Sequence, residues 1–245
     1  MTGADLPAAA LPPAVLAEVM EATWPAESRA MLGPFTLRQG AGGGQRVSAA
    51  TVEGAFTESD LDAVIAAMPA PLFAIHPDRS EGDRALDAAL EARGFRLHDP
   101  VVAYAAPVAV LAGDLPFLTA FPHWPPLETV RDLWAEGGIG PGRVQVMARA
   151  AGPHAAILGR NGDRPSGAAF VAVHDGIAML HALEVRPLQR RQGVGGHLLR
   201  AAANWAADQG AQILSLVVTQ RNAAARALYA RAGMAETGRY HYRKG

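Results

Sequence analysis

The stretch V-R-P-L-Q-R-R-Q-G-V-G-G-H, from Val185 to His197, gathers positive charge around nearly bare backbone. Arg186, Arg190 and Arg191 precede Gly193, Gly195 and Gly196, at the point where an apolar period of helical spacing begins. The first amides of a helix have no intrahelical acceptor, and that end carries partial positive charge. An oxyanion can accept those bonds, glycines let it approach the backbone, and arginines add charge-assisted donors. Such a seat suits a diphosphate better than a single exposed carboxylate. Just upstream, His181-Ala-Leu-Glu-Val185 has the alternation of a strand. His181, Leu183 and Val185 fall on one face, Ala182 and Glu184 on the other. An imidazole with an ordinary pKa of about 6.5 suits proton transfer near neutrality. Downstream, Asn222 opens a helical stretch in which Ala225, Leu228 and Tyr229 share a face.

Three glycine-loop patterns compete. A phosphate-binding P-loop requires a lysine, and none stands here. A dinucleotide-binding loop follows the first strand of a parallel unit and has a third glycine in register, whereas this loop follows a run of hairpin-linked strands. The pattern R-x-x-G-x-G at Arg190, Gly193 and Gly195, after V-x-P at Val185 to Pro187, resembles the acetyl-CoA loop of the GNAT N-acetyltransferases. The segment from Asn222 through Tyr229 to Gly233-Met234 is similar to the N-x-x-A-x-x-L-Y…G-[FM] segment of that family. The resemblance covers about Leu127 to Tyr242.

The resemblance implies acetyl-CoA as co-substrate and direct attack of a primary amine in a ternary complex. No metal is expected, because His154 and His174 fall at strand ends or turns with no ligand cluster beside them. It assigns backbone contacts with the pantetheine and thioester carbonyl to Leu183 and Val185. It assigns diphosphate binding to the loop amides of Arg191, Gln192, Gly193, Val194, Gly195 and Gly196, with the Arg190 side chain beside them. Asn222 contacts the pantetheine arm, caps its helix, or does both. An alkyl amine with pKa ~10 needs a proton acceptor. L-H-A-L-E-V resembles L-H-A-L-A-V of the arylalkylamine N-acetyltransferases, which makes His181 the base. Glu184 is second, disfavoured by its parity, and water alone is third. Tyr229 is the acid that protonates the departing thiolate. A non-catalytic acyl-CoA sensor or scaffold of the same fold is the alternative. Protein N-termini, amino acids, aminoglycoside-like sugars and arylalkylamines all stay open as acceptors.

The elements that must hold these residues follow from the apolar pattern. Strands are expected at Arg143 to Ala148, Ala155 to Leu158, Gly167 to Val173 and Ile177 to Val185, with turns at Asn161-Gly162 and Asp175-Gly176. Helix Val194 to Gln209, strand Ile213 to Thr219, helix Asn222 to Ala232 and strand Met234 to Tyr242 follow. The N-terminal half begins with a helix ending at Thr23. A hairpin then spans Phe35 to Arg38 and Arg46 to Val52 across Gly40 to Gly44. Thr57/Asp60 and Ser80/Asp83 have capping-box spacing, and strands occupy Leu72 to Ile75 and Phe95 to Tyr104. Pro107 to Pro116 is a connection, and F-P-H-W-P-P, with His123 and Trp124, is linker packing or an acceptor wall. His197 reads as helix surface and Trp205 as core.

A faint echo links the halves: A-L-D-A-A-L-E-A-R-G-F (Ala85 to Phe95) parallels A-A-R-A-L-Y-A-R-A-G-M (Ala224 to Met234), with Leu90 where Tyr229 stands. The expected fold is α/β (α+β): a mixed, mostly antiparallel sheet flanked by helices, with a second, smaller α/β domain at the N-terminus. Residues 1–112 form a degenerate GNAT-like or α/β companion, and residues 113–245 the catalytic domain.

Lys+Arg of 22 against Asp+Glu of 23 leaves a formal charge of -1, so no global field recruits nucleic acid or an anionic membrane. With no cysteine, disulfides, thiolate metal sites and thiol nucleophiles are excluded, in keeping with a reducing cytoplasm. The first twenty residues lack a basic leader region, and no apolar run reaches the ~18 residues of a membrane span. Edge strands in both halves leave a homodimer open.

Overall fold

The structure, a computed structural model, describes residues 11–245. The reading of the first ten residues as free of a leader lies outside the described residues. In the N-terminal half the order is α1 (Pro13–Thr23), β1 (Ser28–Leu32), β2 (Phe35–Gln39), a 3-10 turn (Gln45–Val47) and β3 (Thr51–Val52). There follow α2 (Glu58–Ala67), β4 (Leu72–Ile75), α3 (Glu81–Ala92) and β5 (Arg96–Pro107). The short helix α4 (Val108–Leu111) leads to β6 (Ala120–His123), α5 (Glu128–Glu136), α6 (Pro141–Ala148), β7 (His154–Asn161), β8 (Arg164–His174) and β9 (Ile177–Val185). The chain ends with α7 (Val194–Asp208), β10 (Ile213–Thr219), α8 (Ala223–Arg231) and β11 (Ala235–Lys244).

Two sheets result, one of three strands, β1-β2-β3, and one of eight, β4-β11-β5-β10-β9-β8-β7-β6. The eight-stranded sheet draws on both sides of residue 112. Its first four strands read the same from either end once two β-α-β units are recognised, β4-α3-β5 and β10-α8-β11. Each unit's last strand pairs with the other unit: β11 with β4, and β5 with β10, while β5 and β11 meet in the middle. In both units the helix ends on a left-handed glycine, Gly94 (φ 82) and Gly233 (φ 92), before the strand begins. The faint sequence echo therefore has a structural counterpart.

The sheet is buried on both faces. On β8, Ala168, Phe170 and Ala172 meet Trp24, α5 and α6, while Ala169, Val171 and Val173 meet α7. Alanine at so many of these positions lets helices lie close on either side. Leu198 and Leu199 of α7 are buried against this sheet, each worth about 1.5–3 kcal/mol of apolar burial.

Three expectations need correcting. Arg143 to Ala148 is a helix: Pro141 starts it with a preset φ, and neighbouring Val146 and Met147 are both buried beside Trp134, which an alternating strand would not allow. The hairpin partner of β2 is β1, across Gly33-Pro34, while only Phe35 and Thr36 pair with the short β3. Gly40 to Gly44 is a docking loop, since a Cβ on Gly142 at the start of α6 would lie 2.5 Å from the Gly42 carbonyl oxygen. Lastly, F-P-H-W-P-P contains a strand, β6, whose Pro122 is tolerated because β6 is the sheet edge.

Candidate active site

Strands β9 and β10 run parallel only from Ile177 to Leu180 and from Ile213 to Leu216. Beyond that point β9 follows β8 and β10 follows β5, so the two splay apart. A cavity of about 1140 Å³ fills the opening, bounded by Leu180 to Val185 on one side and Leu216 to Thr219 on the other. Arg190, Arg191, Gly193, Gly195, Gly196, Asn222 and Tyr229 line it from the C-terminal half, and Trp24 and Arg46 from the N-terminal half.

At one end of the cavity lies the N-terminus of α7. Gly193 precedes it in the left-handed conformation (φ 86), and no side chain caps the first turn. Arg191 is also left-handed (φ 65), so successive amides turn inward as an anion-binding concavity. The space over Gly196 is open, and Gly195 packs closely enough on α8 that a Cβ would reach Leu228 at 3.2 Å. These features fit a diphosphate. The side chains divide the work unevenly. Arg190 is spent within the protein, donating to the Val185 carbonyl at 3.0 Å and to Glu184 at 3.0 Å. Gln192 is tied to Asn161 at 2.6 Å, Val194 is buried in the core, and neither side chain lines the cavity.

At the middle of the cavity β9 is irregular. Ala168 pairs with Glu184 and Phe170 with His181, so two residues of β9, Ala182 and Leu183, oppose the single Ala169. Ala182 takes φ 50, a strained value for a non-glycine residue, and its carbonyl is held by the Trp134 indole at 2.9 Å. The bulge leaves Leu183 out of the ladder beside the cavity. It also resets the side-chain parity: His181, paired with Phe170, and Glu184, paired with Ala168, lie on the same face of the sheet. The parity argument against Glu184 is therefore overturned, because the alternation assumed a regular strand.

His181 is buried between Trp24 and Phe170. The Thr23 hydroxyl donates to the Val19 carbonyl at 2.6 Å, so it accepts from His181 Nε2 at 2.9 Å. Nδ1 is then the acceptor for Arg46 Nη1, 3.1 Å away. This chain of bonds fixes the neutral Nε2–H tautomer. Burial first, and the Arg46 charge second, push the imidazole well below its usual pKa.

Tyr229 is buried beneath α8 and still borders the cavity, and burial pushes its phenol up to about 12. Asn222 caps α8 by accepting from the Ala225 amide at 3.1 Å. Trp124 stacks edge-on against His154, 4.3 Å between centroids, and does not line the cavity. The residues missed from sequence are those of the N-terminal half, chiefly Trp24 and Arg46. Their only signal was a glycine run longer than a hairpin turn needs.

Residues 121–234 match the acetyltransferase (GNAT) family. An uncharacterized N-acetyltransferase of Bacillus subtilis, YhfO, is 43% identical over 67 residues, which is 27% of this chain and 45% of that protein. The chain spans less than half the length of the curated relatives it matches. A GCN5-related N-acetyltransferase from Kribbella flavida superposes with a TM-score of 0.71 at 17% identity, covering 96% of this chain and 95% of that one. A tandem GNAT protein from the clavulanic acid biosynthesis pathway superposes with a TM-score of 0.57 at 15% identity, over 86% and 77% of the two chains. It is thus the segment 121–234, in the C-terminal half of the chain, that carries the match to the GNAT acetyltransferase family.

Proposed function

We propose that the protein is a cytoplasmic, acetyl-CoA-dependent N-acetyltransferase that transfers acetyl to a primary amine by direct attack in a ternary complex. The observation that carries this reading is one cavity bordered by an uncapped, glycine-bare helix start, a strand bulge and the Tyr229 ring. The α7 amides and Arg191 bind the diphosphate. The Leu183 amide donates to the thioester carbonyl oxygen, where negative charge develops as the amine adds. The carbon–sulfur bond then breaks, and the thiolate takes the proton of Tyr229, whose burial keeps that proton in place at neutral pH. His181 accepts the amine proton at Nδ1 once the Arg46 N–H turns aside. Glu184, on the same face, is the second candidate.

Thiol release from acetyl-CoA over an amine panel tests the reading. Turnover of at least one amine, cut by His181→Ala and spared by Glu184→Gln, supports it. The converse moves the base to Glu184. The occupied lone pair of His181 favours one rival, an acyl-CoA sensor, which predicts tight coenzyme binding with no turnover of any amine.

A further inference from the structure

Six arginines line the cavity, against two carboxylates, Asp99 and Glu184. Both carboxylates are already matched, Asp99 with Arg221 at 3.4 Å and Glu184 with Arg190 at 3.0 Å. Arg46 has no ion pair among the described residues, and unlike Arg143, Arg191 and Arg231, which lack one but are exposed, it is withdrawn into the protein. One of its N–H groups goes to neutral His181 at 3.1 Å, its Nε is buried without any partner, and its guanidinium carbon lies 6.0 Å from the Trp24 ring. The tyrosines beside it, Tyr240 and Tyr242, also border the cavity and offer no anion at neutral pH. A guanidinium withdrawn from water without a counter-ion is costly, and the fold supplies none.

From this we infer that the acceptor amine carries a carboxylate, which Arg46 anchors in the wall built by the N-terminal half. The inference rests on the acetyltransferase reading and names its substrate class. Arg46 bonds to His181, two residues before Leu183, and two strand residues span roughly 7 Å. An amine and a carboxylate in one compact molecule therefore reach the thioester and the guanidinium together. A single planar guanidinium matches a carboxylate edge to edge, and it carries the one charge that a carboxylate neutralises. Engaging that carboxylate also draws the Arg46 N–H away from Nδ1 of His181, which the proton transfer requires. His181 holds the fork in position until then.

The test compares amino acids with their carboxamides, and with dipeptides and Asp- or Glu-initiated peptide amides, as acceptors for wild type, Arg46→Gln and Arg46→Lys. Thermal unfolding confirms that each variant is folded. The expected result is a preference for the free carboxylate of about 10- to 100-fold in kcat/KM, as a charge-assisted pair is worth. It collapses in Arg46→Gln and is partly kept in Arg46→Lys. Preference for the peptide amides would place the carboxylate on an acidic side chain, and preference for amino acids on the acceptor's own α-carboxylate. Carboxamides used as well as acids by wild type, or a preference that survives in Arg46→Gln, would overturn the inference and leave the acetyltransferase standing. Calorimetric titration with N-acetyl amino acids and their carboxamides needs no turnover. Arg46-dependent binding of the acids alone, with no acetyl transfer to any amine, would keep the anion site and sink the enzyme. Equal binding of acids and carboxamides would sink the site.

Discussion

The two halves of the molecule place helices at matching junctions, α2 with α7 and α3 with α8. Both α3 and α8 are capped, by Ser80 and Asn222, and the difference lies between α2 and α7. In the N-terminal half, α2 and α3 start on Thr57 and Ser80, whose hydroxyls accept from the Asp60 and Asp83 amides. Asp60 closes the box at α2 by accepting from the Thr57 amide at 2.9 Å. In the C-terminal half, α7 starts on Gly193 with no cap at all. A helix start that satisfies itself with its own carboxylate has nothing left for an external anion. The lesson is that one architecture closes on itself or leaves its amides open to an external anion according to whether those amides are spent.

The comparison breaks most sharply at Gly196, which sits at the helix position that Asp60 occupies in α2. Gly196→Asp has open space for the side chain and brings a carboxylate to the bare amides. Coenzyme affinity should fall by at least ~100-fold, because the carboxylate both competes for the amides and repels the diphosphate. Stability should rise by about 1 kcal/mol, from the new cap and the loss of a helical glycine. Calorimetric titration with CoA and chemical denaturation measure the two. A stable variant with unchanged CoA affinity would show that the diphosphate sits elsewhere.

The second difference is Tyr229 against Leu90, which hold matching places in α8 and α3. Tyr229→Phe keeps the packing and removes the hydroxyl, so kcat should drop about 10- to 100-fold with KM little changed. Leu90 is completely buried among Phe35, Leu61 and Phe73. Leu90→Tyr should therefore only overpack the core, costing about 1–3 kcal/mol in a denaturant titration. An unaltered kcat in Tyr229→Phe would reduce that residue to a packing role.

How far these contrasts were legible in the sequence depends on what each signal needed. The loop and the Asn222–Tyr229 helix were readable because they are local, with glycine, capping and apolar spacing expressing chain conformation directly. The bulge at Ala182 was not, since its cause is the Trp134 indole holding a carbonyl 48 residues away in sequence. Every side chain after it was consequently assigned one step out of phase. Strand β1 was missed because all five residues are exposed, leaving no alternation to detect. The wall that the N-terminal half contributes to the cavity was invisible for a deeper reason. Arg46 joins the cavity through contacts distant in sequence, with His181 and Trp24 and through the packing of the glycine loop on α6, and nothing in the pattern around Arg46 reports them.

Each half also buries one neutral histidine, and these make the comparison titratable. His76 in the N-terminal half stacks on Tyr240, 4.9 Å between centroids, and burial, then the Arg79 charge, lowers it to about 4. His181 is lowered in the same direction. A histidine whose folded pKa is depressed binds fewer protons folded than unfolded at mildly acidic pH. Stability is therefore full above pH ~6.5 and falls as pH drops from there toward the folded values, by about 1.4 kcal/mol per unit and per histidine. Denaturant titrations between about pH 6.5 and 5 lie above the range in which the lowered carboxylates Asp60, Asp87, Glu136 and Glu236 add their own protons. They should show a slope rising toward two protons, reduced by up to one in either His76→Phe or His181→Phe. A slope that keeps both protons in His181→Phe would mean that its ring is protonated in the fold, and that the Nε2–H tautomer is misassigned.

The smallest effect separates a cap from a site. Thr57→Ala removes the hydroxyl that accepts from the Asp60 amide, freeing that amide while the Asp60 carboxylate still accepts from the amide of residue 57. It should lower Tm by about 2–4 °C, the ordinary worth of a cap in a chain of this size. It should leave CoA binding untouched, because α2 lacks the left-handed glycine, the inward-turned arginine and the splayed strands that surround the start of α7. A second CoA equivalent bound by Thr57→Ala would show that the cap alone keeps the N-terminal half silent. The absence of one would mean that the silence is built into the whole unit.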